Sequence, residues 1–191
     1  MNSNILKSWE VLETKEIFVD EPWVRLSVQQ VRLPDGRIID DYYQIALVEY
    51  TSVYAQTADG KVLLERQYKQ GVGKVTFTVP QGKIEKNEDP LASAQRELLE
   101  ETGYASDDWQ SLGSFICSAN YGCGKAHIFI ARNARKVTEP NSGDLEEMEV
   151  VLMKPKDIVD MIHRGEIHTL GTVAAIAIAQ NPSFASTEAD T

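Results

Sequence analysis

One spacing of glycines and acids constrains this chain more than anything else in it. From Gly82 the sequence reads GKIEKNEDPLASAQRELLEETGY: a glycine, five residues, Glu88, seven residues, then Arg96-Glu97-Leu98-Leu99-Glu100-Glu101-Thr102-Gly103. The spacing predicts a helix over 88–102. Pro90 stands near its start, where a missing N–H is tolerated. Glu88 and Asp89 are expected in the first turn, where the helix dipole favours acids. Leu91, Ala94 and Leu98 recur at helical period and give an apolar face, and Gly103 supplies the stop. On such a helix Glu97 and Glu101 share a face with Cβ atoms roughly 5–6 Å apart, and Glu100 borders it.

Three carboxylates this close repel one another by a few tenths of a kcal/mol per pair. A cation relieves that repulsion, and hard oxygen donors suit Mg2+, with Mn2+ as the alternative, rather than zinc. A divalent ion held there would meet phosphate oxygens and make a bound water nucleophilic. Taken alone, a Glu-Glu pair on a helix is an ordinary solvated face. Seven fixed letters at these offsets, each at about 6% abundance, coincide at a given site on the order of once in 10⁸, so the whole pattern argues for chemistry.

The rest of the chain sets limits. Its 191 residues, 42% hydrophobic and 25% charged, suffice for one globular domain with a substantial core and a small N-terminal extension. A net charge of −10 argues against nucleic acid and against an anionic membrane surface. It leaves phosphorylated substrates open, because bound metal reverses the local sign. The N-terminal stretch has no secretory signal character, and the longest apolar run, 173–179, is too short to span a bilayer. Cys117 and Cys123 imply neither a disulfide framework nor a zinc site, and reduced thiols in the cytoplasm are the expectation. His127 alternates with apolar neighbours and reads as a core or substrate-pocket residue. His163 and His168 join no ligand grouping.

Strand patterns fall at 24–33 and 37–49, joined by the turn sequence Pro34-Asp35-Gly36, and at 53–57 and 62–66 as a second hairpin. A further strand over 75–79 feeds Pro80-Gln81-Gly82 into the helix. Strands at 113–117, 126–131 and 149–153 follow, then helices over 155–163 and 173–180. Strands flanking helices in this order predict an α/β fold with a mixed sheet packed between helices. The expected division is an N-terminal β segment over 1–47, a main domain over 48–182 and a tail over 183–191.

The Gly82–Tyr104 spacing is that of the Nudix box, and by it the chain is identified as a member of the Nudix hydrolase superfamily. The run Leu63 to Lys69 (LLERQYK), the VPQGKIE entry to the box, the N-terminal strand segment and the C-terminal helix pair resemble the ADP-ribose pyrophosphatase group. The resemblance implies an α/β/α sandwich, commonly a homodimer with exchanged N-terminal segments. It implies Mg2+-dependent cleavage of ADP-ribose or another nucleoside diphosphate sugar into a nucleoside monophosphate and a sugar phosphate. By it Glu97 and Glu101 are metal ligands with Glu100 beside them, and Glu100 is also a candidate catalytic group. Gln81 offers a backbone carbonyl to the metal. Arg66 approaches the substrate phosphates, or is an ordinary strand-surface arginine, and Glu85 lies near substrate. Arg96 orients Glu100 or a nearby loop by bidentate contact, or is an ordinary surface arginine, and the box favours the first. A further glutamate on the loop over 138–149 serves as base: Glu146 by its spacing, then Glu147, with a solvated acidic loop as the alternative.

The loop Cys117-Ser118-Ala119-Asn120-Tyr121-Gly122-Cys123-Gly124-Lys125 departs from that group. It lacks the expected proline, and Lys125 or Ala126 stands where an acid is usual. This loop shapes the sugar side of the pocket in the group, so the departure bears on which sugar is cleaved. Rival readings are a Nudix hydrolase of dinucleotides, coenzyme A or capped RNA, and a non-catalytic module that senses a nucleotide sugar. Intact box glutamates argue against the last. Trp9 and Trp23 read as core or dimer-contact residues rather than as adenine platforms.

Overall fold

The computed structural model describes residues 6–141, 143 and 147–185. In chain order the elements are β1 (Glu10–Asp20), β2 (Val24–Arg32), β3 (Ile38–Leu47), β4 (Tyr50–Thr57), β5 (Val62–Lys69), β6 (Lys74–Thr78), β7 (Gln81–Lys83), α1 (Pro90–Thr102), β8 (Tyr104–Ala105), β9 (Asp108–Ser118), β10 (Cys123–Lys136), β11 (Met148–Met153), α2 (Pro155–His163), α3 (Leu170–Ala179) and the short α4 (Pro182–Ala185). The chain divides into two compact units. One holds the described residues up to Val48 with Ile116–Lys125; the other holds Glu49–Phe115 and the described residues from Ala126 on.

In the first unit β1, β2 and β3 form an antiparallel sheet in that order. β1 is a strand that the pattern reading does not locate, because almost all of its residues are exposed and no alternation marks it. Cross-strand ion pairs support it, Arg32 with Glu10 at 2.7 Å and Arg25 with Glu16 at 3.3 Å. Trp9 meets Tyr42 edge to face, with ring centroids 5.4 Å apart. Trp9 and Trp23 are 49% and 57% exposed, so neither is a core residue. The loop between β9 and β10 is tied to β3: the Ile45 N–H donates to the Tyr121 carbonyl at 2.9 Å and Gln44 Nε2 to that of Asn120 at 3.2 Å. Gly122 lies at φ 64°, and a Cβ there would meet Gln44 Oε1 at 2.6 Å, so this loop has its own reason for glycine.

In the second unit the sheet order is β11-β5-β4-β10-β8, with β6 on β5, β7 on β4 and β9 on β10. β4 and β10 run parallel while β11, β5, β6 and β7 pair antiparallel, which makes the sheet mixed. Alternation along β4 and β5 sends side chains to two cores. Val53, Ala55 and Leu63 meet Ala94 and Leu98 of α1 on one face. Tyr54, Val62 and Leu64 meet Ile158 and Met161 of α2 and Ala175 and Ile176 of α3 on the other. The result is the helix-sheet-helix layering expected of an α/β fold. Among the described residues no helix is long and apolar enough to cross a membrane.

The box helix starts two residues later than its pattern suggests, at Pro90. Asp89 is its N-cap, accepting from the backbone N–H of Leu91 at 2.9 Å and of Ala92 at 3.2 Å. Glu88 therefore lies outside the helix. Gly103 ends it at φ 74° and donates its N–H to the Leu99 carbonyl at 2.8 Å. The last long helix covers Leu170–Ala179, three residues earlier at its start than the sequence suggests.

Candidate active site

α1 lies on the sheet with Glu97 and Glu101 turned inward; they are 8% and 5% exposed. Two local features make room for them. Gly82 pairs with Thr51 in the β7–β4 ladder, and a Cβ on Gly82 would stand 2.0–2.3 Å from the Glu97 carboxylate atoms. Only glycine leaves that space. The Gln81 N–H donates to Glu101 Oε2 at 3.0 Å and pins it from the backbone.

Arg96 ties the acids together. Its Nη1 reaches Glu97 Oε1 at 2.6 Å and Glu100 Oε2 at 3.1 Å. Its Nε and Nη2 grip the two Glu88 oxygens at 2.8 and 2.9 Å, and Nη2 also donates to the Lys83 carbonyl at 3.1 Å. This bidentate grip is available to a guanidinium and not to an ammonium. Hydrogen bonding from Arg96 holds the Glu88 carboxyl down at about 2, and the same contacts raise the guanidinium above its ordinary value. Arg96 thus orients Glu97 and Glu88 as well as Glu100.

Glu101 is in the opposite situation. Burial, then the neighbouring carboxylates of Glu65 and Glu97, push its carboxyl far above the usual carboxylate range, against the pull of the Gln81 N–H. Glu65, from β5, is the residue the sequence reading passes over. It is fully buried, and its Oε2 accepts from Gln67 Nε2 at 3.2 Å and from Thr78 Oγ1 at 3.4 Å. The signal was available: in a strand over 62–66, Leu63 and Glu65 fall on the same face, so a charge stands where an apolar residue is expected.

The other candidates separate from this cluster. Arg66 follows Glu65 and so points to the opposite face of β5. It pairs with Glu149 at 3.3 Å, not with the box glutamates. Arg66, Gln67, Tyr68, Val75, Glu147, Met148 and Glu149 line a cleft of about 410 Å³. Glu147, the second choice for the loop acid, therefore shares a cleft with Arg66, whereas Glu146 lies outside the described residues. Glu85 is exposed and pairs with Lys83 at 3.0 Å; its carboxylate does not join the cluster. His127 is nearly buried between Ser114 Oγ at Nδ1 (2.9 Å) and Glu49 Oε2 at Nε2 (2.7 Å), a polar relay rather than a ligand group.

Among the described residues no three histidine, cysteine or acidic side chains have converged into a cation cage. Arg96 supplies positive charge between Glu97 and Glu100 instead. The donor set still fits a hard divalent cation. It is all carboxylate and backbone oxygen, the acids are crowded and mostly buried, and the Gly82 cradle leaves the Glu97 carboxylate free of steric obstruction.

Comparison with known proteins agrees with this architecture. Residues 48–171 match the NUDIX domain, and residues 9–45 match the nucleoside diphosphate sugar hydrolase N-terminal domain. The chain is 29% identical over 177 residues to the methanol dehydrogenase activator of Bacillus methanolicus, covering 90% of this chain and 92% of that one. It is 28% identical over 161 residues to the ADP-ribose pyrophosphatase of Bacillus subtilis (strain 168), covering 82% and 85%. A crystal structure of an ADP compounds hydrolase superposes with a TM-score of 0.77 over 92% of this chain and 94% of its own, at 17% sequence identity, which speaks to fold.

Proposed function

The chain belongs to the NUDIX domain family, and from that premise we propose that it is a Mg2+-dependent pyrophosphohydrolase of nucleoside diphosphate sugars, with ADP-ribose the first candidate. The observation that carries this reading is the pair Glu97 and Glu101, buried side by side on α1 with Gly82 clearing space for one and the Gln81 N–H fixing the other. The match of residues 9–45 to a nucleoside diphosphate sugar hydrolase N-terminal domain, and the ADP-ribose pyrophosphatase name of a relative, support the substrate class.

Glu97, Glu100 and Glu101 would hold the ion, with the Gln81 backbone beside them. Mg2+ bound there supplies charge neutralisation at the diphosphate and a more acidic water. The chain's own part is positional. Arg96 holds Glu97 and Glu100 in one orientation through a single guanidinium. The cradle at Gly82 keeps Glu97 close to the sheet. In hydrolysis the water oxygen bonds to one phosphorus, the bridging P–O bond breaks, and the proton passes to an acceptor carboxylate, for which Glu146, Glu147 and Glu100 are the candidates. Arg66, in its cleft with Glu147, offers a cation to substrate phosphate if its pair with Glu149 opens.

We assign the protein to a reducing, cytoplasmic setting and to a homodimer. Exposed Val11, Ile17, Phe18 and Val19 on β1 support the dimer as apolar surface for a second copy, and light scattering tests it directly. The decisive experiment incubates the purified chain with Mg2+ and a panel of nucleoside diphosphate sugars and identifies the products. ADP-ribose should give AMP and ribose 5-phosphate. No turnover of any member, with Glu101→Gln indistinguishable from wild type, would end the proposal.

A further inference from the structure

The buried carboxylate of Glu65 calls for an explanation that box chemistry alone does not give. It is 0% exposed, on the sheet face covered by α1. Register sets it opposite Thr78 across β5–β6 and opposite Val150 across β5–β11, so two flanking strands fix its position. Gln67 Nε2 donates to it and to Thr78 Oγ1, at 3.2 and 3.0 Å, which holds its rotamer. From the helix side Glu101 faces it, near enough for the Glu65 carboxylate to raise the Glu101 carboxyl above its ordinary range. Two carboxyl groups, delivered by two different elements into one buried space where both cannot ionise cheaply, are an expensive arrangement for packing alone. They are an apt one for gripping a divalent ion between helix and sheet.

A second observation comes from β4. Thr51 pairs with Gly82, and opposite residues of an antiparallel pair share a face. Its side chain therefore flanks the Glu97 carboxylate that overlies Gly82. Thr51 is fully buried, and among the described residues its Oγ1 has no hydrogen-bond partner. Buried hydroxyls are rarely left so. A metal-bound water beside Glu97 would satisfy it.

We infer that Glu65 is a further ligand of the cation site, binding from the sheet the same divalent ion that Glu101 holds from the helix. This rests on the metal-dependent reading above and extends it to a residue outside the box.

The test uses the full chain and Mn2+ alone, titrated and followed by electron paramagnetic resonance, for wild type, Glu65→Gln and Glu97→Gln. Glu65→Gln keeps the acceptor that Gln67 and Thr78 need and removes the charge. It should weaken Mn2+ binding by at least ~10-fold and reduce the rise in melting temperature that saturating Mn2+ produces. Binding within twofold of wild type, whatever happens to metal-free stability, would make Glu65 a structural acid and overturn the inference. If Glu97→Gln loses the ion while Glu65→Gln keeps it, only this inference falls. If wild type binds no Mn2+, the reading beneath falls with it. Should Glu65→Gln fail to fold, Glu65→Asp, which keeps the charge and shortens its reach, carries the same test and the same twofold criterion.

Discussion

Gly82→Ala isolates the geometry of the site from its charge. The backbone at Gly82 is not in the left-handed region, so alanine meets no φ penalty there; the whole effect comes from the added methyl group. That Cβ would sit 2.0 Å from the Glu97 carboxyl carbon and 2.2 and 2.3 Å from its oxygens. Real contacts begin above 3 Å, so the carboxylate must retreat by at least ~1 Å. It cannot do so freely, because Arg96 Nη1 holds its Oε1 at 2.6 Å. Overpacking of this kind costs about 1–3 kcal/mol of stability, and a ~1 Å displacement of a catalytic group costs ~100-fold in rate. We therefore expect kcat/KM for the preferred diphosphate sugar to fall about 100-fold at saturating Mg2+, measured by product chromatography. Combining Gly82→Ala with Glu97→Gln should add little to either change alone, since both act through one carboxylate. A Gly82→Ala enzyme within threefold of wild type, or a double variant whose losses multiply, would show that Glu97 does not work from the position seen here.

Three further outcomes follow from the helix ends and the Arg96 network. Asp89→Ala removes the acceptor for two first-turn N–H groups and should cost ~1 kcal/mol, a drop of about 2–4 °C in melting temperature; an unchanged melt would remove Asp89 as the cap. Gly103→Ala forces a left-handed residue at φ 74° and drives a Cβ to 2.2 Å from the Thr138 carbonyl oxygen, so urea unfolding should show a loss of at least ~2 kcal/mol. Gly71→Ala, which meets nothing within 4 Å among the described residues, should show none comparable, and equal losses would refute the steric argument. Glu88 titrates at about 2 in the folded chain against an ordinary 4.5, so the unfolded chain takes up its proton first as pH falls. Its contribution is full above pH ~4.5 and disappears towards pH 2, worth about 1 kcal/mol after solvent screening. Thermal melts of metal-free wild type and Glu88→Gln should converge across that window, and a constant difference would rule out the Glu88–Arg96 pair as its source.

What could be read from the sequence follows how far each residue's partners lie along the chain. The α1 helix, its Gly103 stop and the shared face of Glu97 and Glu101 are legible because helix stops and faces depend on neighbours within one turn. Even there, the pattern puts Glu88 and Asp89 in the first turn and the cap geometry differs: Asp89 accepts from the N–H groups of Leu91 and Ala92, while Glu88 turns to Arg96, eight residues on. The setting of Glu65 is harder to read, because it comes from Thr78, thirteen residues away, and from Glu101 on another element. Arg66, read by likeness of motif as approaching the substrate phosphates, is the neighbour of Glu65, and the two-residue period of a strand puts the two on opposite faces. The same period separates Leu63 from Leu64 into different cores. Applied to the whole of LLERQYK, it assigns Glu65 and Gln67 to the face of Leu63, the one that α1 covers. β1 offers no such handle, because a strand exposed on both faces has no burial to imprint alternation on its sequence. A strand pattern therefore reports burial, and it failed here where burial was absent or where a buried position carried a charge. The buried charge is the informative failure, since a fold bears that cost at a site where it has a use.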